Sequence, residues 1–172
     1  PDERAKFLDN IARDTERGTA LLDRLRALAR ADSVAVGGAS TLGDLAADAR
    51  GRFPDLDIVV DGEATVPMSP ENAGIILDNL LDNAAHHGAT RVEIRSVADD
   101  GAVTLQIADN GRGISPGNAA QIFDLFFTTR RDTGGTGLGL GIVAALLRSH
   151  KGRIALVPSE KGACFELTIP MA

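Results

Sequence analysis

The sequence contains few of the residues on which several protein classes depend. Among 172 residues there is one cysteine, Cys164, there is no tryptophan or tyrosine, and only 3% of the residues are aromatic. A single cysteine excludes a disulfide framework and suits a reducing compartment. The 44% of apolar residues nevertheless suffices to bury a sizeable core, so we expect one main domain with an appendage.

Long hydrophobic runs and an excess of positive charge are also absent. No apolar stretch approaches the roughly 18–20 residues that span a bilayer, and no signal peptide opens the chain. The net charge of −6 argues against a nucleic-acid surface, because neutralising phosphates requires clustered lysine and arginine. We therefore expect no nucleic-acid partner and no membrane contact in this fragment. Because the chain begins with proline, we expect it to be cut from a longer protein.

The first part of the chain predicts one long helix. Residues 2–31 contain no proline and one glycine, and their apolar residues recur every three or four positions. A helix of about 30 residues extends about 45 Å, so we expect it to project as half of a hairpin or coiled coil. We divide the chain into this helix over 1–32, a linker over 33–41 and a domain over 42–172. The apolar positions of the helix are Leu8, Ile11, Leu22, Leu25 and Ala29.

The rest of the chain predicts helices that come mostly first and an antiparallel sheet that comes mostly last. This order is typical of an α+β two-layer sandwich. Helices are predicted over 42–50, with Ser40 or Thr41 as N-cap, over 69–87, with Ser69 as N-cap, and over 137–150. Strands are predicted over 57–61 and 64–66, meeting at the turn Asp61-Gly62, and over 91–97 and 102–108, joined by the hairpin turn Asp99-Asp100-Gly101. Two last strands are predicted over 153–157 and 163–169.

Five glycines lie within eight residues, from Gly134 to Gly141, directly before an apolar run that predicts a buried helix. A glycine-rich turn at a helix N-terminus lets backbone N–H groups contact an anion, and the helix dipole favours phosphate there. The same pattern also occurs in plain hinges. By itself it leaves both interpretations open.

Four polar side chains share one face near the end of the second predicted helix of the domain. Asn79, Asn83, His86 and His87 lie three or four residues apart, opposite the apolar face. Asparagine oxygens suit Mg²⁺ as part of a ligand set that phosphate and water complete. The alternative is a solvated helix face.

The long segment 110–136 is mostly glycine and polar residues, which in a compact domain indicates a functional loop. Asp109 directly precedes it at the end of a strand, where its carboxylate can accept from an exocyclic amine; the alternative is an ordinary Asp-Gly turn. The segment also contains Phe123, Phe126 and Phe127, which we expect to form a small cluster that pins the loop. Arg130 and Arg131 are the better candidates for contact with phosphate.

These motifs, in this order, resemble the N, G1, F and G2 boxes of sensor histidine kinases, within the wider family of gyrase, heat-shock chaperone and mismatch-repair ATPases. The four boxes read NLLDNA, DNGRGI, IFDLFFTTR and GTGLGLGIV, and the likeness covers about residues 42–170. It implies a Bergerat-type ATP-binding fold, in which a mixed, mostly antiparallel sheet packs on helices. Residues 3–31 resemble the second helix of the dimerisation and phosphotransfer hairpin of those kinases.

The resemblance assigns roles residue by residue. Asn83 would be the Mg²⁺ ligand, with Asn79 supporting it one turn earlier. Asp109 would hold the adenine amine, with Gly111 and Gly113 beside the base, and residues 110–136 would form a lid over ATP. The other implied ATP contacts are His86, His87, Ile114, Thr129, Arg130, Gly135, Thr136, Gly137, Leu138 and Gly139.

The sequence departs from the family pattern at a few positions. His86 stands where the family usually has lysine or arginine, and a histidine there donates to phosphate more weakly and in a pH-dependent way. Ala163 stands where the family has threonine or serine, and Gly18 replaces an expected leucine.

The pattern favours transfer of a phosphoryl group to a protein over hydrolysis. Water-attacking relatives carry a glutamate as general base where this chain has Asn79, and transfer itself needs mainly positioning and charge neutralisation. None of the three histidines is followed by an acidic residue, as the family's phosphoacceptor is, and His150 is expected to be a helix C-cap. We therefore expect the phosphoacceptor helix to precede Pro1.

The resemblance also implies partners and a location. The implied partner is a response regulator, and the full protein is expected to form a homodimer. The implied location is the cytoplasm, with the parent protein either free or anchored in a membrane. Two alternatives remain at this point: a serine kinase of the anti-sigma type, and a non-catalytic module that uses the fold or bound ATP only for docking.

Overall fold

The computed structural model of the chain describes residue 7 and residues 38–99, 101–130 and 135–171. The long helix predicted over residues 2–31 lies outside these ranges except at residue 7, and so does the predicted linker up to residue 37. The last two residues of that linker, Ser40 and Thr41, form a short strand in the domain.

Three helices form one layer of the domain: α1 (Leu42–Arg52), α2 (Pro70–His86) and α3 (Gly139–Ser149). Each agrees with its predicted range to within two residues at either end. Thr41 and Ser69 are the N-caps of α1 and α2, and the side-chain oxygen of each accepts a backbone N–H. No helix in the described ranges is long and apolar enough to cross a bilayer.

The strands form a five-stranded sheet and a separate two-stranded one. The five-stranded sheet has the order β2-β4-β5-β7-β6, in which β2 and β4 are parallel and the other neighbours are antiparallel. The predicted two-layer α+β sandwich with a mixed, mostly antiparallel sheet is confirmed. The strands are β1 (Ser40–Thr41), β2 (Asp57–Asp61), β3 (Thr65–Val66), β4 (Arg91–Asp99), β5 (Ala102–Asp109), β6 (Arg153–Val157) and β7 (Cys164–Pro170).

The predicted meeting of the two early strands at Asp61-Gly62 is wrong. β2 pairs with β4, whereas β3 pairs with β1, so the two strands lie in different sheets. A parallel pair needs a crossover connection, and α2, which lies between β3 and β4 in the chain, provides it. The hairpin between β4 and β5 is confirmed, although Asp99 belongs to β4 rather than to the turn.

Alternation along the strands separates the two faces of the sheet. Ile94, Ile107 and Phe165 are side by side across β4, β5 and β7, and all three are buried in the core that the helices share. The next row faces the other way and is polar: Gln106 donates to the Glu166 carboxylate at 3.0 Å. One sheet face therefore packs on the helices, and the other is polar.

The end of α2, the end of β5 and the start of α3 converge at one end of the molecule. The N–H of Arg112, just after β5, donates to the carbonyl of His87, just after α2, at 3.2 Å. Gly139, at the start of α3, lies so near α2 that a Cβ built on it would be 3.0 Å from Oδ1 of Asn79. The long segment between β5 and α3 therefore closes over this junction.

Candidate functional site

An open cleft of about 840 Å³ lies at this junction, between α2, the start of α3 and the segment that joins β5 to α3. Twelve of the fifteen residues predicted for the site line it, whereas Asp109, Gly111 and Leu138 do not. The twelve are Asn79, Asn83, His86, His87, Gly113, Ile114, Thr129, Arg130, Gly135, Thr136, Gly137 and Gly139.

The three predicted residues that do not line the cleft lie next to residues that do. Leu138 is the N-cap of α3 and is buried in the core, with 1% of the residue exposed. Asp109 ends β5 half-buried, and its Oδ1 accepts from the N–H of Gly111 at 2.8 Å and from that of Ala163 at 3.3 Å. These bonds fix the orientation of the Asp109 carboxylate.

The polar face of α2 forms one wall of the cleft. Asn79 and Asn83 lie one turn apart on it, while Leu80 and Leu81 point into the core. The amide nitrogen of Asn79 donates to the carbonyl of Ile75 at 2.8 Å. This bond leaves Oδ1 of Asn79 directed at the start of α3, as the approach of Gly139 shows.

His86 is held to its own helix by Asp82. Its Nδ1 lies 2.8 Å from the carbonyl oxygen of Asp82 and 3.1 Å from its Oδ1. Because both oxygens only accept hydrogen bonds, we assign the proton to Nδ1. In neutral His86 the other ring nitrogen, Nε2, then carries a lone pair rather than a proton.

His87 follows α2 as its C-cap and is half-buried in the cleft wall. Burial lowers its pKa below the ordinary 6.5, and the positive charges of Arg130 and Arg112 lower it further, against the opposing effect of Asp109. His87 is therefore neutral at pH 7.

The cleft collects positive charge in a molecule whose net charge is −6. Arg112 and Arg130 line it, and among the described residues Asp82 is the one acidic residue of its lining. The N-terminus of α3 also faces it, and no side chain in the described part of the chain caps this terminus. Two arginines and an uncapped helix N-terminus make the cleft a site for an anion such as phosphate.

The glycines before α3 permit close backbone contacts around the cleft. Gly137 has a φ of +68°, and a Cβ there would overlap the backbone of Phe126. Gly135 donates its N–H to the carbonyl of Arg130 at 2.9 Å. Residues 131–134, and with them the predicted phosphate contact Arg131, lie outside the described ranges. The backbone at both ends of that segment therefore lies at the edge of the cleft.

The predicted phenylalanine cluster is partly wrong. Phe123 packs edge-on against Phe165 of β7, with ring centroids 6.4 Å apart, and Phe127 packs against the core. Phe126, however, is 58% exposed and has a φ of +69°. The loop is pinned to the sheet by Phe123 rather than by contacts among the three rings, because side chains of a tight turn point in different directions.

Several cleft residues were not predicted. Asp82 could have been found, since it lies three residues after Asn79 and four before His86 and so shares their face. Arg112 could have been found as the one basic residue within the motif DNGRGI. Contacts from the long segment have no comparable signal in the sequence. The other residues missed are Ser115, Asn118, Ile122, Phe127, Thr128 and Leu140.

The side chains present do not form a complete metal site by themselves. Among the described residues no group of three or more histidine, cysteine or acidic side chains is arranged to hold a metal ion. Asn83 and Asn79 instead offer amide oxygens, which suit Mg²⁺ when phosphate oxygens and water supply the other ligands. The donor set thus fits an ion that arrives with a phosphorylated ligand.

Comparison with known proteins agrees with this geometry. Residues 69–172 match the family described as histidine kinase-, DNA gyrase B- and HSP90-like ATPases. A probable sensor histidine kinase of Mycobacterium tuberculosis (strain CDC 1551 / Oshkosh) is 33% identical over 98% of this chain and 48% of its own length. The sensor-type histidine kinase PrrB of M. tuberculosis (strain H37Rv) is 34% identical over 94% of this chain and 38% of its own.

A solved structure supports the same conclusion. The ATP-binding domain of PrrB from M. tuberculosis aligns with a TM-score of 0.66 at 29% identity, covering 80% of this chain and 99% of that one. The chain spans less than half the length of the two curated relatives above. The chain therefore belongs to the histidine kinase-, DNA gyrase B- and HSP90-like ATPases, with the Bergerat-type fold and the ATP-binding catalytic domain of a sensor histidine kinase.

Proposed function

We propose that the cleft binds ATP together with Mg²⁺ and presents the γ-phosphate to a histidine on a dimerisation helix, for relay to an aspartate of a response regulator. The observation that carries this proposal is the convergence of Asn79 and Asn83 with the uncapped start of α3 and with Arg130. An asparagine pair, a helix N-terminus and a guanidinium together suit a metal-bound polyphosphate.

Asp109 is the proposed contact for the base. Its Oδ1 is occupied by two backbone N–H groups, and no described residue donates to its Oδ2. Oδ2 is thus available to accept from the exocyclic amine of adenine. Gly113, which has a φ of +73°, lines the cleft, and the resemblance places it beside the base.

The phosphates are proposed to lie against the start of α3. The N–H groups around Gly137, Leu138 and Gly139 would donate to them, with help from Arg130, Thr129 and Thr136 at the edge of the cleft. Asn83 would hold the Mg²⁺. When bound, the ion supplies charge neutralisation to the phosphoryl oxygens.

Transfer is favoured over hydrolysis because the described residues of the cleft offer no poised general base. Asn79 is a neutral amide that is bonded to the carbonyl of Ile75. Asp82, the one carboxylate among the described residues of the lining, engages His86. Binding and orienting the phosphates are tasks these residues can perform, whereas activating water requires a free base.

The partners and the location are proposals of the same kind. We propose a dimer through hairpin helices like the one predicted over residues 1–32, with the ATP-binding domain beginning near residue 42, and a cytoplasmic setting. A serine kinase of the anti-sigma type predicts acid-stable phosphate on a partner serine instead. A docking module without catalysis predicts no heat when ATP and Mg²⁺ are titrated into concentrated protein.

Calorimetry with Asn83→Ala tests the proposal. We expect the unaltered chain to bind ATP more tightly with Mg²⁺ than without it. Asn83→Ala should weaken binding about tenfold or more, and only when Mg²⁺ is present, because the variant lacks the amide oxygen that holds the ion.

Asp78→Ala is the matched control. Asp78 lies on the same helix and engages Arg52 at 2.7 Å rather than the cleft, so this variant should bind like the unaltered chain. Equal Mg²⁺ dependence in the Asn83 variant and the control would contradict the assignment of Asn83.

A further inference from the structure

The turn between β6 and β7 touches the end of β5 through a glycine that the proposed function does not use. Gly162 has a φ of +69°, and a Cβ built on it would overlap the carbonyl oxygen of Asp109 and lie 2.6 Å from its Oδ1. Only a residue without a Cβ can bring its backbone so near this carboxylate, and the left-handed φ adds to the requirement for glycine.

This approach aligns the neighbouring residue with Asp109. Ala163 donates its N–H to Oδ1 of Asp109 at 3.3 Å, and its carbonyl accepts the N–H of Asp109 at 2.9 Å. The N–H of Gly111 donates to the same Oδ1 at 2.8 Å. Two backbone donors therefore hold one carboxylate oxygen, and the geometry of one of them depends on Gly162.

Gly162 also contacts the other side of the proposed base site. A Cβ on Gly113 would lie 2.8 Å from the carbonyl oxygen of Gly162. The backbone of Gly162 is thus packed between the carboxylate of Asp109 and the loop that lines the cleft at Gly113. Displacing it would move both groups at once.

We propose that Gly162 is a positioning residue that fixes the Asp109 carboxylate with Oδ2 toward the ligand, and that it thereby makes the cleft select a purine with an exocyclic amine over one with a carbonyl there. A carboxylate accepts from an amine but repels a carbonyl oxygen, so selectivity depends on where Oδ2 points. The methyl side chain of Ala163 adds no polar contact of its own. The inference rests on the proposed function, because it assumes that Asp109 meets the base.

Gly162→Ala tests the inference through the ratio of two affinities. With Mg²⁺ present, we expect the unaltered chain to bind ATP at least tenfold more tightly than GTP. In Gly162→Ala the affinity for ATP should fall to near that for GTP, while the affinity for GTP changes little. General loosening of the fold would instead weaken both nucleotides together.

Gly62→Ala is the matched control. Gly62 has a φ of +93°, so alanine there meets the same left-handed backbone; its Cβ would lie 2.7 Å from Oγ of Ser96 and 3.0 Å from the Ser96 carbonyl oxygen. It follows β2, at the end of the sheet opposite Asp109. This variant should keep the ratio of the unaltered chain.

The outcomes separate the two proposals. If the unaltered chain binds no ATP, the proposed function is wrong, and the inference falls with it. If it binds and selects ATP but Gly162→Ala keeps the selectivity of the unaltered chain, the inference alone is overturned.

A measurement on the unaltered chain tests the two hydrogen bonds to Asp109 that the inference requires, even if Gly162→Ala does not fold. Amide protons that donate to a carboxylate change their chemical shift when that carboxylate takes up a proton. We expect the amides of Gly111 and Ala163 to shift together as pH is lowered, and Asp109→Asn to abolish both shifts. If the amide of Ala163 does not follow the titration, Gly162 does not align it with Asp109 and the inference is overturned.

Discussion

His87 combines burial with two neighbouring positive charges at the edge of the cleft. The removal of water from its ring is the largest cause of its lowered pKa, and Arg130 and Arg112 add repulsion that Asp109 only partly offsets. The folded chain therefore resists protonation of this ring more than the unfolded chain does. The two imidazoles in the wall therefore have different surroundings. His87 is half-buried beside two arginines, whereas the ring of His86 is bonded to Asp82.

The lowered pKa of His87 predicts a pH-dependent stability. Below about pH 6.5 the unfolded chain takes up the proton more readily than the folded one, so the free energy of unfolding falls as pH falls through this range. We expect His87→Gln to lose less stability than the unaltered chain between about pH 7.5 and 5.5. Urea denaturation at both pH values measures this, and equal losses in the two proteins would contradict the prediction.

At the scale of elements, the start of α3 is shaped by the loop that packs against it. The N–H of Phe126 donates to the carbonyl of Gly137 at 2.9 Å, and the side chain of Leu125 lies over Gly141. The first of these contacts is between backbones, whereas the second involves the end of a flexible, 45% exposed side chain. The two glycines are therefore not equivalent, although both belong to one motif.

This difference predicts unequal effects of two alanine substitutions. Gly137→Ala would place a Cβ 2.6 Å from the carbonyl oxygen of Phe127 at a φ of +68°, so the loop or the helix start must shift. Gly141→Ala would place a Cβ 2.5 Å from Cδ2 of Leu125, which can rotate away. We expect the affinity for ATP to fall about tenfold or more in the first variant and less than about threefold in the second.

Calorimetry with ATP and Mg²⁺ measures both variants, and the Gly141 variant is the control for an added methyl group in the same motif. Equal losses of affinity in the two variants would show that the contact of Gly137 with the loop backbone does not shape the phosphate site.

For the whole molecule, the positions of the three histidines decide what the chain can do alone. His150 is the C-cap of α3, as predicted; it is 5% exposed, and its Nδ1 donates to the carbonyl of Leu146 at 3.0 Å. His86 is bonded to Asp82, and His87 is half-buried in the wall. His86 is the exposed one, with 44% of its side chain accessible, but none of the three is followed by an acidic residue, as the family's phosphoacceptor is.

This arrangement predicts that the chain binds ATP without retaining its phosphate. After incubation with γ-labelled ATP and Mg²⁺, we expect no acid-labile phosphate on the isolated chain. Gel analysis after mild acid treatment, followed by mass spectrometry, measures it. Phosphate on His86, His87 or His150 would contradict the proposal that the acceptor is supplied by another helix.

Much of the fold was predictable because its signals are local. The Ser69-Pro70 start of α2, the short strand 57–61 and the hairpin between β4 and β5 each depend on residues close in the chain. The pairing of β2 with β4 was not predictable in this way, because it depends on how α2 packs. The exposure of Phe126 was missed for a similar reason, since a turn aims consecutive side chains in different directions.

The sequence by itself determined the class of the site, since four spaced motifs supply the amides, carboxylate and glycines that a metal-bound nucleotide requires. Only the tertiary structure decided how these groups act on one another. It placed Arg112 and Arg130 where they lower the pKa of His87, and it brought Gly162 against Asp109 from more than 50 residues away. Such contacts follow from sheet register and loop packing, which depend on residues far apart in the chain.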